Sequence, residues 1–159
     1  MDETSARLAI GEVLARLAFT QDTRDWSSFQ RLFADSVRLD LSTMFGAPPL
    51  EIAAVELASL ASATLDGFDC THHSAANLLV EFTEDEARCS AHITSYHHVV
   101  APPGVIDFCT VRGYWHLSLR QEQERWVITA WAVVRTAPWE GSPDVYRLAA
   151  EGRARTIGS

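Results

Sequence analysis

Lysine is absent from this 159-residue chain, and all 13 basic residues are arginine. The absence excludes Schiff-base chemistry, a catalytic lysine and a phosphate-binding loop of the Walker type, because each requires a lysine amine. Basic residues are also outnumbered, since 21 aspartate and glutamate residues leave a net charge of −8. Nucleic acids and anionic membranes attract clustered positive charge, so we expect neither as a partner.

Cysteine and long apolar segments are also scarce. Cys70, Cys89 and Cys109 form no C-x-x-C pair, which argues against a disulfide framework or a cysteine-rich zinc site and favours buried, reduced thiols. No apolar run approaches the roughly 18 residues that a membrane-spanning helix requires. The acidic start, Met-Asp-Glu-Thr-Ser, lacks the basic and apolar parts of a secretory signal. We therefore expect a cytoplasmic protein.

The first half of the chain has the apolar periodicity of helices. The predicted elements are a helix over 5–20, a second helix with Trp26, Phe29, Leu32 and Phe33 on one side, a strand over 37–42, and an Ala/Leu-rich helix over 50–64. From residue 73 the period changes to two, which predicts strands over 75–82, 87–100, 105–120 and 125–136. Ser142 and Pro143 are typical of the start of a short C-terminal helix.

Helices followed by strands joined through polar or Pro/Gly turns indicate an α+β fold. We predict a curved, mainly antiparallel sheet packed on three N-terminal helices, with the overall form of a cone. Residues 1–159 then make one domain, with a core over about 5–140 and a short helical tail over 142–155. Such a cone leaves a pocket that suits a small hydrophobic molecule.

Two aspartates follow the first predicted helix in the segment "QDTRDW". Asp25 stands just before the second helix, where its carboxylate can cap free backbone N–H groups. Asp22 lies at the end of the first helix, where the helix dipole disfavours negative charge. From its position alone, Asp22 is either solvated or held by a partner elsewhere in the fold.

Histidines occur in two adjacent pairs on predicted strands, His72–His73 and His97–His98. Successive side chains of a strand point to opposite faces, so one histidine of each pair should face the covered side of the sheet. The alternation groups His97 with Ile93, Ser95 and Val99, and His98 with Thr94 and Tyr96.

The histidine spacings typical of metal sites, such as H-x-H and H-E-x-x-H, do not occur in the sequence, so we expect no bound metal.

The order of these features resembles a known family. The segments "QDTRDWSSFQRLFADSV", "THHSAANLLVEF" and "ITSYHHV", and the strand from Gly113-Tyr114 to "RWVI", are similar to the SnoaL-like branch of the nuclear transport factor 2-like (ketosteroid isomerase-like) superfamily. The similarity runs over about residues 5–140 and is greatest to the subgroup of scytalone dehydratase, hexachlorocyclohexane dehydrochlorinase and bile-acid dehydratase.

The resemblance assigns roles to several residues. The family's catalytic histidine stands four residues before an asparagine, which implies His73 with Asn77, and leaves His72 pointing away. The family's catalytic aspartate falls on Asp22, and a second pocket histidine falls on His97.

The sequence departs from the family pattern at one position. A tyrosine or lysine that helps to polarise the substrate is often found where this chain has Leu17. The candidates to supply that function elsewhere are His97, Tyr96, Tyr114 and Arg135. Together with Asn77 and Leu17, these residues form the predicted substrate-binding set.

A His–Asp pair without a nucleophilic serine or cysteine suits general base catalysis. The first hypothesis is a cofactor-independent lyase or dehydratase acting on a small hydrophobic, cyclic substrate. The second is an isomerase or cyclase of a polyketide- or terpenoid-like intermediate that uses the same dyad. The third is a non-catalytic ligand-binding or accessory subunit, because the fold also serves in that way. No cofactor is expected for any of them.

The long strands carry apolar residues on both faces. In the strand over 105–120, Val111, Trp115 and Leu117 occupy odd positions, and Phe108 and Tyr114 occupy even positions. One face must cover the helices, and an uncovered apolar second face would be unfavourable in water. We therefore expect a homodimer or homotrimer that associates through a sheet face.

Overall fold

The computed structural model describes residues 2–84 and 86–157, with side chains up to residue 154. The helices are α1 (Glu3–Asp22), α2 (Trp26–Gln30), α3 (Ser42–Phe45), α4 (Ala54–Leu65) and α5 (Val145–Ile157). The strands are β1 (Phe33–Asp40), β2 (Leu50–Ala53), β3 (Cys70–Phe82), β4 (Glu86–His98), β5 (Phe108–Glu122), β6 (Arg125–Arg135) and β7 (Glu140–Gly141).

The strands form one seven-stranded sheet in the order β2-β1-β6-β5-β4-β3, with β7 paired to β5. Among the strands that the structure describes, only the β1–β6 pair is parallel, so the sheet is mainly antiparallel, as predicted. The helices pack on its concave face, and the architecture is the α+β cone that the sequence predicts.

Local sequence signals place α1 and α2. The side chain of Asp2 accepts a hydrogen bond from the Ser5 backbone N–H, and the buried face of α1 includes Ile10, Leu14 and Leu17. Asp25 caps α2 as predicted, since its carboxylate accepts the Ser28 backbone N–H at 2.9 Å. Both helix starts therefore follow from a short polar side chain that satisfies free N–H groups.

Several predicted boundaries are wrong, including the strands over 37–42 and 105–120, which run over 33–40 and 108–122, and strand pairing explains the three largest differences. The second helix ends at Gln30, because Phe33 begins β1 and pairs with Ile128 of β6. The first four residues of the predicted helix over 50–64 are instead strand β2, which pairs with β1. Strand β3 begins at Cys70 rather than residue 75, because Cys70 already pairs with His98.

Odd-numbered residues of β4 and β5 face the concave side, where Ile93, Val111 and Trp115 are buried. The outer face carries Tyr114 between His92 and His116, with ring centroids 4.8 Å and 5.8 Å apart. Association of this face with a second copy stays a prediction.

Two of the three cysteines, Cys89 and Cys109, are buried, and burial raises the pKa of Cys89 to about 11 and that of Cys109 to about 12. Cys70 is exposed at the start of β3, which corrects the expectation that all three thiols are buried.

Candidate active site

Asp22 and His73 meet in a hydrogen bond where the end of α1 packs against β3. His73 Nδ1 lies 2.6 Å from Asp22 Oδ1, and the His73 backbone N–H donates to Asp22 Oδ2 at 2.8 Å. The two groups that the resemblance singles out are therefore in hydrogen-bond contact, and Asp22 is partnered rather than solvated. The opposing helix dipole is offset by three donors that converge on one carboxylate, the third being Thr71.

The surroundings of Asp22 favour its charged form. Burial raises the pKa of this carboxyl, but the hydrogen bonds from His73 and Thr71 and the charge of His73 lower it by more, and the net shift is downward. An ionised carboxylate can only accept hydrogen bonds, so the ring of His73 donates its Nδ1–H to Asp22. The Nε2 lone pair then remains free for a proton, and no hydrogen bond to Nε2 occurs among the described residues.

Thr71 and Arg24 support the pair, and the sequence analysis missed both. Arg24 donates to Thr71 Oγ1 at 2.8 Å, and Thr71 Oγ1 lies 2.9 Å from Asp22 Oδ1. A guanidinium has no acceptor, so the Thr71 oxygen accepts from Arg24 and its hydroxyl hydrogen donates to Asp22. Thr71 lies two residues before His73 and therefore on the same strand face, which is the signal that could have identified it.

We expect Thr71→Val to lower the free energy of unfolding at pH 7 by about 1.5–3 kcal/mol, because the hydroxyl loses its hydrogen bonds to the partly buried Asp22 carboxylate and to Arg24 with little change in side-chain shape. Urea unfolding followed by circular dichroism measures the change. The control is Thr94→Val on the exposed outer face of β4, which should change stability by less than about 0.5 kcal/mol. Equal effects of the two variants would contradict the proposed support.

His73 faces a cavity of about 440 Å³ between the sheet and the helices. Most of the described residues that line it are aliphatic or aromatic, and none is Asp, Glu or Arg. The polar lining residues are Gln21, Thr64, His73, Ser95, His97 and Tyr146. The ring of Trp115 stacks near His73 with centroids 6.1 Å apart and planes inclined at 30°. The lining suits an uncharged molecule with a flat, apolar part.

His97 lies in the same cavity wall as His73, as strand alternation predicts. Its side chain is 2% exposed, and the two ring centroids are 5.3 Å apart. Burial, with a further contribution from the charge of His73, lowers the pKa of His97 to about 3, so this imidazole is neutral over the physiological range. His98 points to the outer face, where Nε2 lies 3.4 Å from Asp107, and His72 is exposed there too.

Asn77 does not line the cavity, although a regular strand would place it on the same face as His73. It is exposed, and its amide nitrogen lies 3.2 Å from Nδ1 of His92. The reason is an irregularity of the β3–β4 pairing between Ala76 and Leu79, where Asn77 adopts a φ of 54°. A bulge of this kind reverses the alternation, so that Leu78 and Val80 turn inward instead.

Leu17, Tyr96, Tyr114 and Arg135 are also not among the described residues of the cavity wall. Leu17 is wholly buried in the core under α1. Tyr96 and Tyr114 have even parity on β4 and β5 and therefore point to the outer face, where Tyr96 stacks on Phe108. Arg135 donates to the Ala137 carbonyl and lies over the ring of Trp139.

Tyr146, in α5, is a cavity residue that the sequence analysis missed. Its hydroxyl lies 3.4 Å from Nε2 of His97. The C-terminal helix was predicted, but no pattern in the sequence indicates that this helix closes the cavity.

Neither a metal site nor a membrane span is found among residues 2–84 and 86–157. No group of three or more His, Cys, Asp and Glu side chains there could hold a metal ion. No helix in that part of the chain is both long and apolar enough to cross a bilayer.

Known structures share this fold at low sequence identity. The Kfla4162 protein of Kribbella flavida is 21% identical with a TM-score of 0.84, and the match covers 93% of this chain and 99% of that one. A scytalone dehydratase-like protein of Novosphingobium aromaticivorans is 14% identical (TM-score 0.69), covering 87% and 85%. A hexachlorocyclohexane dehydrochlorinase, LinA type 2, is 15% identical (TM-score 0.70), covering 87% and 90%.

No curated protein sequence matches this chain at a significant level. The sequence profile of the SnoaL-like domain, in contrast, matches residues 2–132, which include α1, the histidine-bearing strands and most of β6. The chain therefore belongs to the SnoaL-like domain family.

Proposed function

We propose that this protein is a cofactor-independent lyase of the dehydratase type, in which Asp22 and His73 act as a general base. The observation that carries the proposal is the 2.6 Å hydrogen bond between Asp22 Oδ1 and His73 Nδ1 in the wall of an apolar cavity. This arrangement leaves Nε2 as a base of fixed orientation, and it supplies a negative charge that stabilises the imidazolium formed during the reaction.

In the proposed reaction, Nε2 of His73 removes a proton from a carbon next to a carbonyl group. The electron pair of that C–H bond forms a carbon–carbon double bond as the bond from the neighbouring carbon to its hydroxyl breaks. The hydroxyl leaves as water after taking a proton, which the imidazolium can return, so the base is restored at the end of the cycle. General base catalysis of this kind contributes about 10²–10⁴ to the rate.

The cavity indicates the substrate class. An apolar wall without a described acidic or arginine side chain favours a neutral molecule, because a buried charge without a partner is costly. The stacking position of Trp115 beside His73 suits a planar or cyclic skeleton. We therefore propose a small, hydrophobic, cyclic substrate that carries a ketone and a leaving group on the β-carbon.

Two of the structural neighbours support elimination as the reaction class. A scytalone dehydratase removes water, and a dehydrochlorinase removes hydrogen chloride, as their names state. Isomerisation or cyclisation would begin with the same proton transfer, but no feature of the cavity favours either over elimination.

Two small probes test the proposal. Opening of 5-nitrobenzisoxazole requires only a base that removes one C–H proton, and the released phenolate is followed by absorbance. The conversion of 3-hydroxycyclohexanone to 2-cyclohexenone tests the loss of water. We expect both reactions to run faster than with the same concentration of free imidazole, and 2-naphthol to inhibit them competitively. If neither reaction exceeds the imidazole control, a ligand-binding subunit becomes the better account.

A further inference from the structure

The C-terminal helix α5 forms part of the cavity wall through Tyr146 and Ala150. Val145 and Ala149 of this helix are completely buried. A Cβ atom on Gly67 would lie 2.0 Å from the Ala149 carbonyl oxygen, so glycine is required for this close approach. The helix lies beyond residue 132, where the match to the family model ends.

The ring of Tyr146 is held by aromatic neighbours from four directions. Its centroid lies 5.4 Å from Phe45, 5.2 Å from Phe68, 5.2 Å from His97 and 6.2 Å from Trp139. Burial raises the pKa of the Tyr146 hydroxyl well above its usual range, so the group keeps its proton. A rigid ring thus presents a neutral hydroxyl to a cavity that has few other polar groups.

The neighbouring histidine determines which way this hydroxyl can donate. Nδ1 of His97 is buried and makes no hydrogen bond of acceptable geometry among the described residues. A buried N–H without an acceptor is rarer than a buried lone pair without a donor. We expect the His97 proton on Nε2, so that Nε2–H donates to the Tyr146 oxygen and leaves the Tyr146 proton free.

We propose that Tyr146, oriented by His97, forms a subsite for the neutral carbonyl oxygen of a cyclic ketone. The Tyr146 hydroxyl donates to that oxygen, and Nε2–H of His97 donates to the Tyr146 oxygen, so the two hydrogen bonds strengthen each other. This inference rests on the proposed function, since it names the group that polarises the ketone whose α-proton His73 removes. It replaces the family's polarising residue, for which this chain has Leu17.

The rings of His73 and His97 are 5.3 Å apart, and the Tyr146 hydroxyl adjoins the far nitrogen of His97. The proposal places a small cyclic ketone with its oxygen on the Tyr146 hydroxyl and its α-carbon at Nε2 of His73. The lining around both contacts is apolar, which strengthens each hydrogen bond by excluding water.

The test compares two ligands of nearly equal shape, 1-tetralone and tetralin, of which only the ketone can accept a hydrogen bond. We expect Tyr146→Phe to weaken binding of 1-tetralone about tenfold in isothermal titration and to leave tetralin within about twofold, because one hydrogen bond is lost. The infrared carbonyl stretch of 1-tetralone should shift to lower frequency when the ketone binds to the wild type. In the Tyr146→Phe variant the stretch should lie close to its frequency in an apolar solvent. Tyr114→Phe, on the outer face, is the matched control and should change neither ligand.

Equal weakening of both ligands would assign Tyr146 a packing role only, and unchanged binding of 1-tetralone would also overturn the subsite. Failure of the wild type to bind 1-tetralone would likewise overturn the proposed subsite. Because binding does not require turnover, the two proposals fail separately. A selective loss in Tyr146→Phe together with full activity of a His73→Ala variant would retain the subsite and reject the base.

Discussion

His73→Ala is expected to lower the rate of 5-nitrobenzisoxazole opening by about 10²–10⁴-fold, which is the usual contribution of a positioned general base. The loss should appear in kcat, since the alanine removes the group that accepts the proton and leaves the apolar wall in place. Binding of 2-naphthol, measured by its fluorescence, should remain within a fewfold of the wild type.

The neighbouring histidine supplies the control. His72 is exposed on the opposite strand face, so His72→Ala should leave the rate within about twofold. Asp22→Asn should also lower kcat severely, because the amide lacks the charge that stabilises the imidazolium and can impose the other tautomer, as in the serine protease triad. A His73→Ala variant as active as His72→Ala would reject the general base.

The second large effect concerns stability in acid. An unfolded histidine binds a proton near its ordinary pKa of 6.5, whereas folded His97 remains neutral until about pH 3. Between these values the unfolded state binds more protons than the folded state, so the free energy of unfolding falls as pH is lowered. From pH 7 to pH 4.5 we expect His97 alone to cost about 2–3 kcal/mol of stability.

Urea unfolding of His97→Gln at the two pH values measures this contribution. The glutamine cannot be protonated, so the variant should lose about 2–3 kcal/mol less than the wild type over the interval. His72→Gln, at an exposed histidine outside the cavity, should retain the wild-type loss. The interval ends at pH 4.5 because carboxyl groups such as Asp22, whose pKa lies below the ordinary value in the folded state, lose their stabilising contribution only at lower pH. Equal losses in His97→Gln and the wild type would show that His97 is not held neutral.

Periodicity alone predicted the helix that became α1, the long strands and an inward orientation for one histidine of each adjacent pair, and the family resemblance selected His73 and His97. These features depend on the spacing of neighbouring residues, which strand and helix geometry determine locally. The capping of α2 by Asp25 is also a local feature, because the carboxylate accepts an N–H only three residues away. The boundaries at Phe33 and Cys70 were wrong because pairing with a distant strand, β6 or β4, extends a strand beyond its own apolar pattern.

The sequence by itself determined the fold class, the absence of lysine chemistry and, through the family resemblance, the pairing of Asp22 with His73. Only the tertiary structure decided which further groups join them. The bulge at Asn77 reverses one strand face, and the packing of α5 on Gly67 brings Tyr146 to His97, 49 residues away along the chain. Thr71 donates to the Asp22 carboxylate across 49 residues and accepts from Arg24 across 47 residues. Contacts between residues so far apart along the chain depend on how the helices and strands pack in three dimensions, and the local periodicity of the sequence does not predict them.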